Sequence, residues 1–217
     1  RPVDYIKSLG WLTSNSWYAH TVHLSDDEIV CMGEMNVGIS HCPTSNMRLG
    51  SGIARIKELL ESGVKVSLGV DGSASNDSGN MLTEMRNAML ISRLRKPEHW
   101  LNARDVIKMA TRGGAEVLGR DDIGELSVGK QADICLFDIN RTEYAGGLSD
   151  PLAALVFSVR TAPVDHLIIN GEVRIRNGRS VVDEISLVTE HNQISHSMIN
   201  TAQQKTGISF LGSKQLN

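Results

Sequence analysis

Three short apolar runs in the first third of the chain each end on a residue that can hold a proton or a metal. Trp17-Tyr18-Ala19 leads into His20, and Val37-Gly38-Ile39-Ser40 leads into His41. Lys65-Val66-Ser67-Leu68-Gly69-Val70 leads into Asp71, which opens the small, polar stretch Gly72-Ser73-Ala74-Ser75-Asn76-Asp77-Ser78. Helical character follows each run. Ser25-Asp26-Asp27-Glu28 has the composition of a helix start, because Ser or Asp can cap free N–H groups and acids suit the first turn. After His41 a polar loop leads to residues 53–61, where Ile53, Ile56, Leu59 and Leu60 share one helical face. Residues 80–95 carry Met81, Leu82, Met85, Met89 and Leu90 or Ile91 at helical spacing. A strand-helix order repeated three times predicts consecutive βα units of a parallel barrel or open sheet. In a parallel barrel the strand C-termini form the face that carries chemistry, so His20, His41 and Asp71 become site candidates. Asp-Gly also marks ordinary turns; Asp71 gains weight by standing third in a series.

A chain of 217 residues suffices for one large domain or one and a half ordinary ones, and 41% hydrophobic residues can build a core. A net charge of −3 leaves no electrostatic footprint for nucleic acid. No apolar run approaches the roughly 20 residues that cross a bilayer. Cys31, Cys42 and Cys135 are few and widely spaced, which excludes a disulfide framework and a CxxC zinc knuckle and suits a reducing cytoplasm. The chain starts at Arg1 without an initiator Met, and Arg1-Pro2-Val3-Asp4-Tyr5-Ile6 already reads as a helix start. Three βα units cannot close an eight-stranded barrel, and their outer strands would present unpaired edges. The expectation is that another piece, in the same gene or another chain, completes the fold.

Residues 101–119 are helical in pattern, with Asn102 as cap, Val106, Ile107, Met109 and Ala110 apolar, and a break at Gly113-Gly114. The character then changes. Residues 132–138 and 164–169 read as strands, and Asn170-Gly171 before Glu172-Val173-Arg174-Ile175-Arg176 signals a hairpin, because a type I′ turn needs positive φ at both central residues. Asn177-Gly178 repeats the turn before Val181-Val182. Asp183 caps a last helix with an imperfect stripe of Ile185, Val188, Ile194, Met198 and Ala202. Residues 203–217 read as a loose polar tail. The organisation expected is βα units over 1–119, a small β unit over 120–182, and a helix and tail over 183–217.

Among the remaining histidines, His23 reads as a structural residue of a helix-entering loop, His99 as loop, and His166 as part of a strand away from the strand-exit face. His191 and His196, five apart, fall on different helix faces and make a poor metal pair. Glu84 is expected on the helix face and not in the site, and Met81, Met85 and Met89 in the core.

Ala19-His20-Thr21-Val22-His23-Leu24, Ser40-His41-Cys42-Pro43-Thr44-Ser45-Asn46-Met47-Arg48-Leu49 and Leu68-Gly69-Val70-Asp71-Gly72-Ser73-Ala74-Ser75-Asn76 together resemble the later βα units of the amidohydrolase superfamily, in the branch that deaminates purines and related heterocycles. Gly124-Glu125-Leu126-Ser127-Val128-Gly129-Lys130-Gln131-Ala132-Asp133-Ile134 resembles the approach to that family's small β-sandwich. The resemblance implies an α/β fold made of strands six to eight of a (β/α)8 barrel, part of the sandwich and a terminal helix. It also implies one divalent metal, zinc first.

In that family pattern Asp71 matches the last-strand Asp that binds the metal and takes a proton from the attacking water. His20 matches a sixth-strand His that contacts the water or the developing oxyanion, as a ligand or beside one. His41, Ser73 and Asn76 are the substrate-binding candidates, and Ser45 and Asn46 fall in loops on the same face, where Ser and Asn also simply shape turns. The implied reaction is hydrolytic deamination of an aminated heterocycle, 8-oxoguanine to urate and ammonia first. An adenosine-type nucleoside or an s-triazine stands as the alternative substrate, and a non-catalytic half-barrel or lapsed paralogue as the alternative of another class. The implied partners are that small heterocycle, the missing N-terminal half and further copies of the protein, with no nucleic acid and no membrane. The family's first-strand HxH, fifth-strand His and nearby Glu are absent from this chain. A catalytic zinc takes three protein ligands and a water, so the chain alone is expected neither to hold zinc tightly nor to deaminate.

Overall fold

The computed structural model describes residues 1–158 and 164–210. Strands β1 (Trp17–Ala19), β2 (Gly38–His41) and β3 (Lys65–Leu68) lie side by side in that order, all parallel, with Tyr18 opposite Ile39 and Ile39 opposite Val66. The ladder runs on past the strand ends: the His20 amide donates to Ser40 O at 2.9 Å and the Gly69 amide to His41 O at 2.9 Å. Helices therefore have to cover the sheet, and they do, as parallel sheets require. Gly38, Ile39 and His41 of β2 are buried.

Helix α1 (Pro2–Ser8) precedes the sheet. Helix α2 (Asp26–Glu34) starts where expected, with Ser25 Oγ accepting from Glu28 N and the Glu28 carboxylate accepting from Ser25 N in a reciprocal box. The stretch after His41, read as a polar loop, instead contains α3 (Pro43–Arg48), started by a proline at its first position. Helix α4 (Ile56–Glu61) buries Ile56 and Leu59, while Ile53 falls before it. Helix α5 (Met81–Ser92) is capped by Asn80, whose Oδ1 accepts from Leu82 N and Thr83 N.

Helices α6 (Ala103–Ala110) and α7 (Arg112–Leu118) divide at Thr111, not at the glycine pair. Gly113 serves a different end. A Cβ there would lie 2.2 Å from Val66 O, so the missing side chain lets α7 pack directly on β3. Val37, Ile39, Leu59, Met89 and Val106, all fully buried, form the centre of this core, and Met85 joins them.

The second sheet is antiparallel: β4 (Ile134–Leu136), β5 (His166–Ile169), β6 (Glu172–Arg176) and β7 (Arg179–Ser180), in that order. Asn170 and Gly171 have φ of 49° and 79°, Asn177 and Gly178 51° and 73°, as two-residue primed turns demand. The last strand begins at once after the second turn, so it is Arg179–Ser180 and not the Val181-Val182 pair. Helix α8 (Pro151–Phe157), unforeseen in the sequence, carries the fully buried Val156. Helix α9 (Glu184–Thr206), capped by Asp183 as expected, extends past residue 203, so the expected tail begins later. Residues 211–217 of that tail lie outside the described residues. Among the described residues no helix is long and apolar enough to cross a membrane.

Candidate active site

Two strand exits of the parallel sheet pass through the left-handed region. His20 has φ of 67° and Asp71 of 65°. His and Asp belong to the few non-glycine types enriched in that region, the local reason why these residue types suit these positions. Thr21, beside His20, also has a positive φ of 44°, which is far costlier for a β-branched residue. Its Oγ1 is buried and has no hydrogen-bond partner among the described residues.

The two turns bring the His20 imidazole and the Asp71 carboxylate together, Nε2 to Oδ2 at 3.6 Å. The α3 residues Ser45 and Asn46, both buried, fix the pair. Asn46 Oδ1 stands 2.8 Å from His20 Nδ1. An amide oxygen only accepts, so this contact requires the tautomer with its proton on Nδ1, and the ring turns Nε2 toward Asp71. Ser45 Oγ donates to Asp71 Oδ2 at 2.6 Å, and Ser75 Oγ donates to the same oxygen at 2.9 Å.

These donors set the charge. The Ser45 hydroxyl, then the Gly72 amide and the Ser75 hydroxyl, with a smaller pull from His20, hold the Asp71 carboxyl down to about 2. One third of its side-chain surface is open, so the site presents an ionised carboxylate to solvent at neutral pH.

His41 sits differently. It is buried, and neither ring nitrogen has a partner among the described residues. Burial, then the nearby His20, lowers its pKa to about 3, so the ring is neutral. Its neighbour Cys42 is also buried, and burial first, then Asp71 and Glu84, push the thiol up to about 11. A thiol so protonated is no nucleophile at neutral pH.

Of the loop candidates, Ser73 is exposed, while the Asn76 side chain is buried and engaged, donating to Val70 O and Glu84 Oε1 at 2.8 Å each. The geometry thus groups His20, Asp71, Ser45 and Asn46, and leaves His41, Ser73 and Asn76 out of direct contact with the pair. Ser75 was missed as a site residue in the sequence, although its place four positions after Asp71 in a tight loop is the signal. Glu84 lies on the buried face of α5 and is fully buried. Its spacing from Met81 and Ala88, three before and four after, already marks the inward face.

The donor set can be tested against a metal. An ionised carboxylate and an imidazole nitrogen 3.6 Å away suit two positions around one divalent ion. Among the described residues no group of three or more His, Cys, Asp or Glu could hold one. Asp71 and His20 therefore fit as part of a ligand set and not as the whole of it.

Known proteins resemble this chain over most of its length. The 8-oxoguanine deaminase of Pseudomonas aeruginosa is 42% identical over 200 residues, 92% of this chain and 44% of that protein. A 5-methylthioadenosine/S-adenosylhomocysteine deaminase of Pelotomaculum thermopropionicum is 39% identical over 202 residues, 92% of this chain and 46% of its own length. Among solved structures, a zinc-bound adenosine deaminase from Xanthomonas campestris superposes with a TM-score of 0.85 at 31% identity, covering 89% of this chain and 44% of that one. The chain thus spans about half the length of the relatives it matches. The pattern of the Amidohydrolase family matches residues 1–174, and the chain belongs to the amidohydrolase family.

Proposed function

We propose that this chain contributes strands six to eight of a (β/α)8 barrel to a metal-dependent aminohydrolase, with the β4–β7 sheet as part of an appended β-sandwich. The observation that carries the reading is the His20–Asp71 pair held at the exits of two parallel strands. The relatives' names support a heterocycle bearing an exocyclic amine as substrate, and 8-oxoguanine, giving urate and ammonia, is the first choice. A second reading, an adenosine-type nucleoside, is favoured by the 5-methylthioadenosine/S-adenosylhomocysteine deaminase relatives.

Asp71 would hold a divalent ion, zinc first, together with donors from outside this chain, with His20 beside it or as a further ligand. When bound, such an ion supplies a water acidified toward neutral pH. Asp71 takes the proton of the attacking water and passes it to the departing amine. With Nδ1 toward Asn46, the His20 Nε2 faces Asp71, where it can meet the attacking water or the oxygen charge that builds at the reacting carbon.

The test is ammonia release by the complete protein, with 8-oxoguanine, adenosine and S-adenosylhomocysteine compared at equal concentration. Urate formation from 8-oxoguanine at the highest kcat/KM supports the first reading, preference for the nucleosides selects the second, and no turnover of any overturns both. The 217-residue chain by itself should release no ammonia and should lose zinc on dialysis.

A further inference from the structure

Glu84 is the one fully buried acidic side chain among the described residues, and the reaction sketched above does not use it. Its two oxygens take hydrogen bonds from two different strand-exit loops. Oε2 accepts from Thr44 N at 3.2 Å, and Oε1 accepts from Asn76 Nδ2 at 2.8 Å.

The first contact caps a helix from outside. The residue before α3, Cys42, makes no side-chain cap, and Pro43 has no N–H to offer. Thr44 N is thus the first free amide of α3, and a carboxylate from α5 satisfies it in the way a capping side chain would. Asn87, one turn further along α5, adds a second tie by donating to Thr44 Oγ1 at 2.8 Å. The next two residues of α3 are Ser45 and Asn46, which hold Asp71 and His20.

The second contact fixes the other loop. Asn76 splits its amide protons between Glu84 and Val70 O, the residue just before Asp71, and its Oδ1 accepts from Ser78 N at 3.1 Å. Ser75, the second hydroxyl on Asp71, is its immediate neighbour. Both loops that hold the His20–Asp71 pair are therefore tied to one carboxylate beneath them.

We infer that Glu84 is a positioning residue, a strut that sets the register of the α3 and Asp71 loops and so the His20–Asp71 geometry. The inference rests on the reading of that pair as the reacting site. A buried carboxylate with two donors aimed at it has a specific vulnerability. Glutamine keeps the shape but presents one oxygen and one NH2, so one of the two donors meets another donor.

The experiment uses the complete protein with Glu84→Gln, Asn76→Ala as a second variant that cuts the same tie from the other end, and Ser92→Ala as control. Ser92 is also buried on α5, donates to Met89 O and accepts from Leu101 N, and touches neither loop. Backbone amide exchange is followed over residues 43–49 and 71–78, alongside kcat and KM. Glu84→Gln and Asn76→Ala should each speed exchange in the segment they release. Each should also lower kcat by about tenfold to a hundredfold, the scale on which a shift of about an ångström acts, with KM changed far less. Ser92→Ala should leave exchange in both segments and kcat unchanged even where it lowers the melting temperature. Unchanged exchange in Glu84→Gln, or a kcat loss in Ser92→Ala equal to that in Glu84→Gln, overturns the strut. Failure of the site reading is seen separately: Asp71→Asn would then keep full turnover, while the exchange result still decides the role of Glu84.

Discussion

The parallel β1–β3 region and the antiparallel β4–β7 region with α9 are built on opposite economies of burial. In the first, β2 is covered on both faces and Val37, Ile39, Leu59, Met89 and Val106 are fully buried. In the second, β6 alternates half-buried Val173 and Ile175 with exposed Glu172, Arg174 and Arg176, and no residue of α9 is buried. The proposed site residues all belong to the first. A left-handed His20 and a left-handed Asp71 persist only where the surrounding structure over-determines them, and only the parallel region has the packing to do so. The antiparallel region meets its backbone demands with Asn-Gly turns, which need no such support.

The sharpest way to probe that contrast is at the paired residues. In the complete protein, Asp71→Asn should lower turnover by about a thousandfold or more and weaken zinc retention, read by ammonia release and elemental analysis. His20→Ala should cost about a hundred- to ten-thousandfold in kcat with the metal retained. Metal loss in His20→Ala would make His20 a direct ligand. Full activity in Asp71→Asn would remove the functional difference between the two regions.

Packing comes next. Leu59→Ala should destabilise this chain by about 2–5 kcal/mol in urea unfolding, whereas Ile194→Ala on exposed α9 should stay within about 0.5 kcal/mol. Equal losses would mean that α9 is packed after all.

Acid should separate the regions too. The neutral His41 ring is favoured by the fold, with a pKa of about 3 against an ordinary 6.5. Its contribution to stability is complete above pH 6.5 and fades as pH falls toward about 3, because the unfolded chain then binds a proton that the folded chain refuses. His41→Gln should therefore flatten the loss of unfolding free energy over that window relative to the parent. Parallel curves would show that other groups govern acid sensitivity. The smallest effect is expected at the hairpin, where Gly171→Ala, at φ of 79°, should cost about 1 kcal/mol.

Legibility in the sequence followed the same divide between local and long-range causes. Ser25, Asn102 and Asp183 cap their helices as read, and both Asn-Gly turns form, because each signal lies within four residues of its effect. Helix α3 was hidden: six residues, Pro-Thr-Ser-Asn-Met-Arg, carry no apolar period, and a carboxylate 40 positions away caps it. The glycine pair looked like a break because its cause, Val66 O on β3, is remote in sequence. In the site, residue type and strand-exit position pointed to His20 and Asp71. The hydroxyls and amide that orient them needed the fold, since Ser and Asn look the same in a turn and in a hydrogen-bond cradle.

Thr21 has a further consequence, for selection. A β-branched residue at φ of 44°, its buried hydroxyl without a partner among the described residues, carries strain of about 1–3 kcal/mol right beside His20. Glycine or asparagine there would relax the backbone, and a screen for thermal survival would enrich them. A screen for turnover would discard the same variants if a slackened turn lets His20 drift from Asp71. Position 21 is where the two selections should pull this lineage in opposite directions.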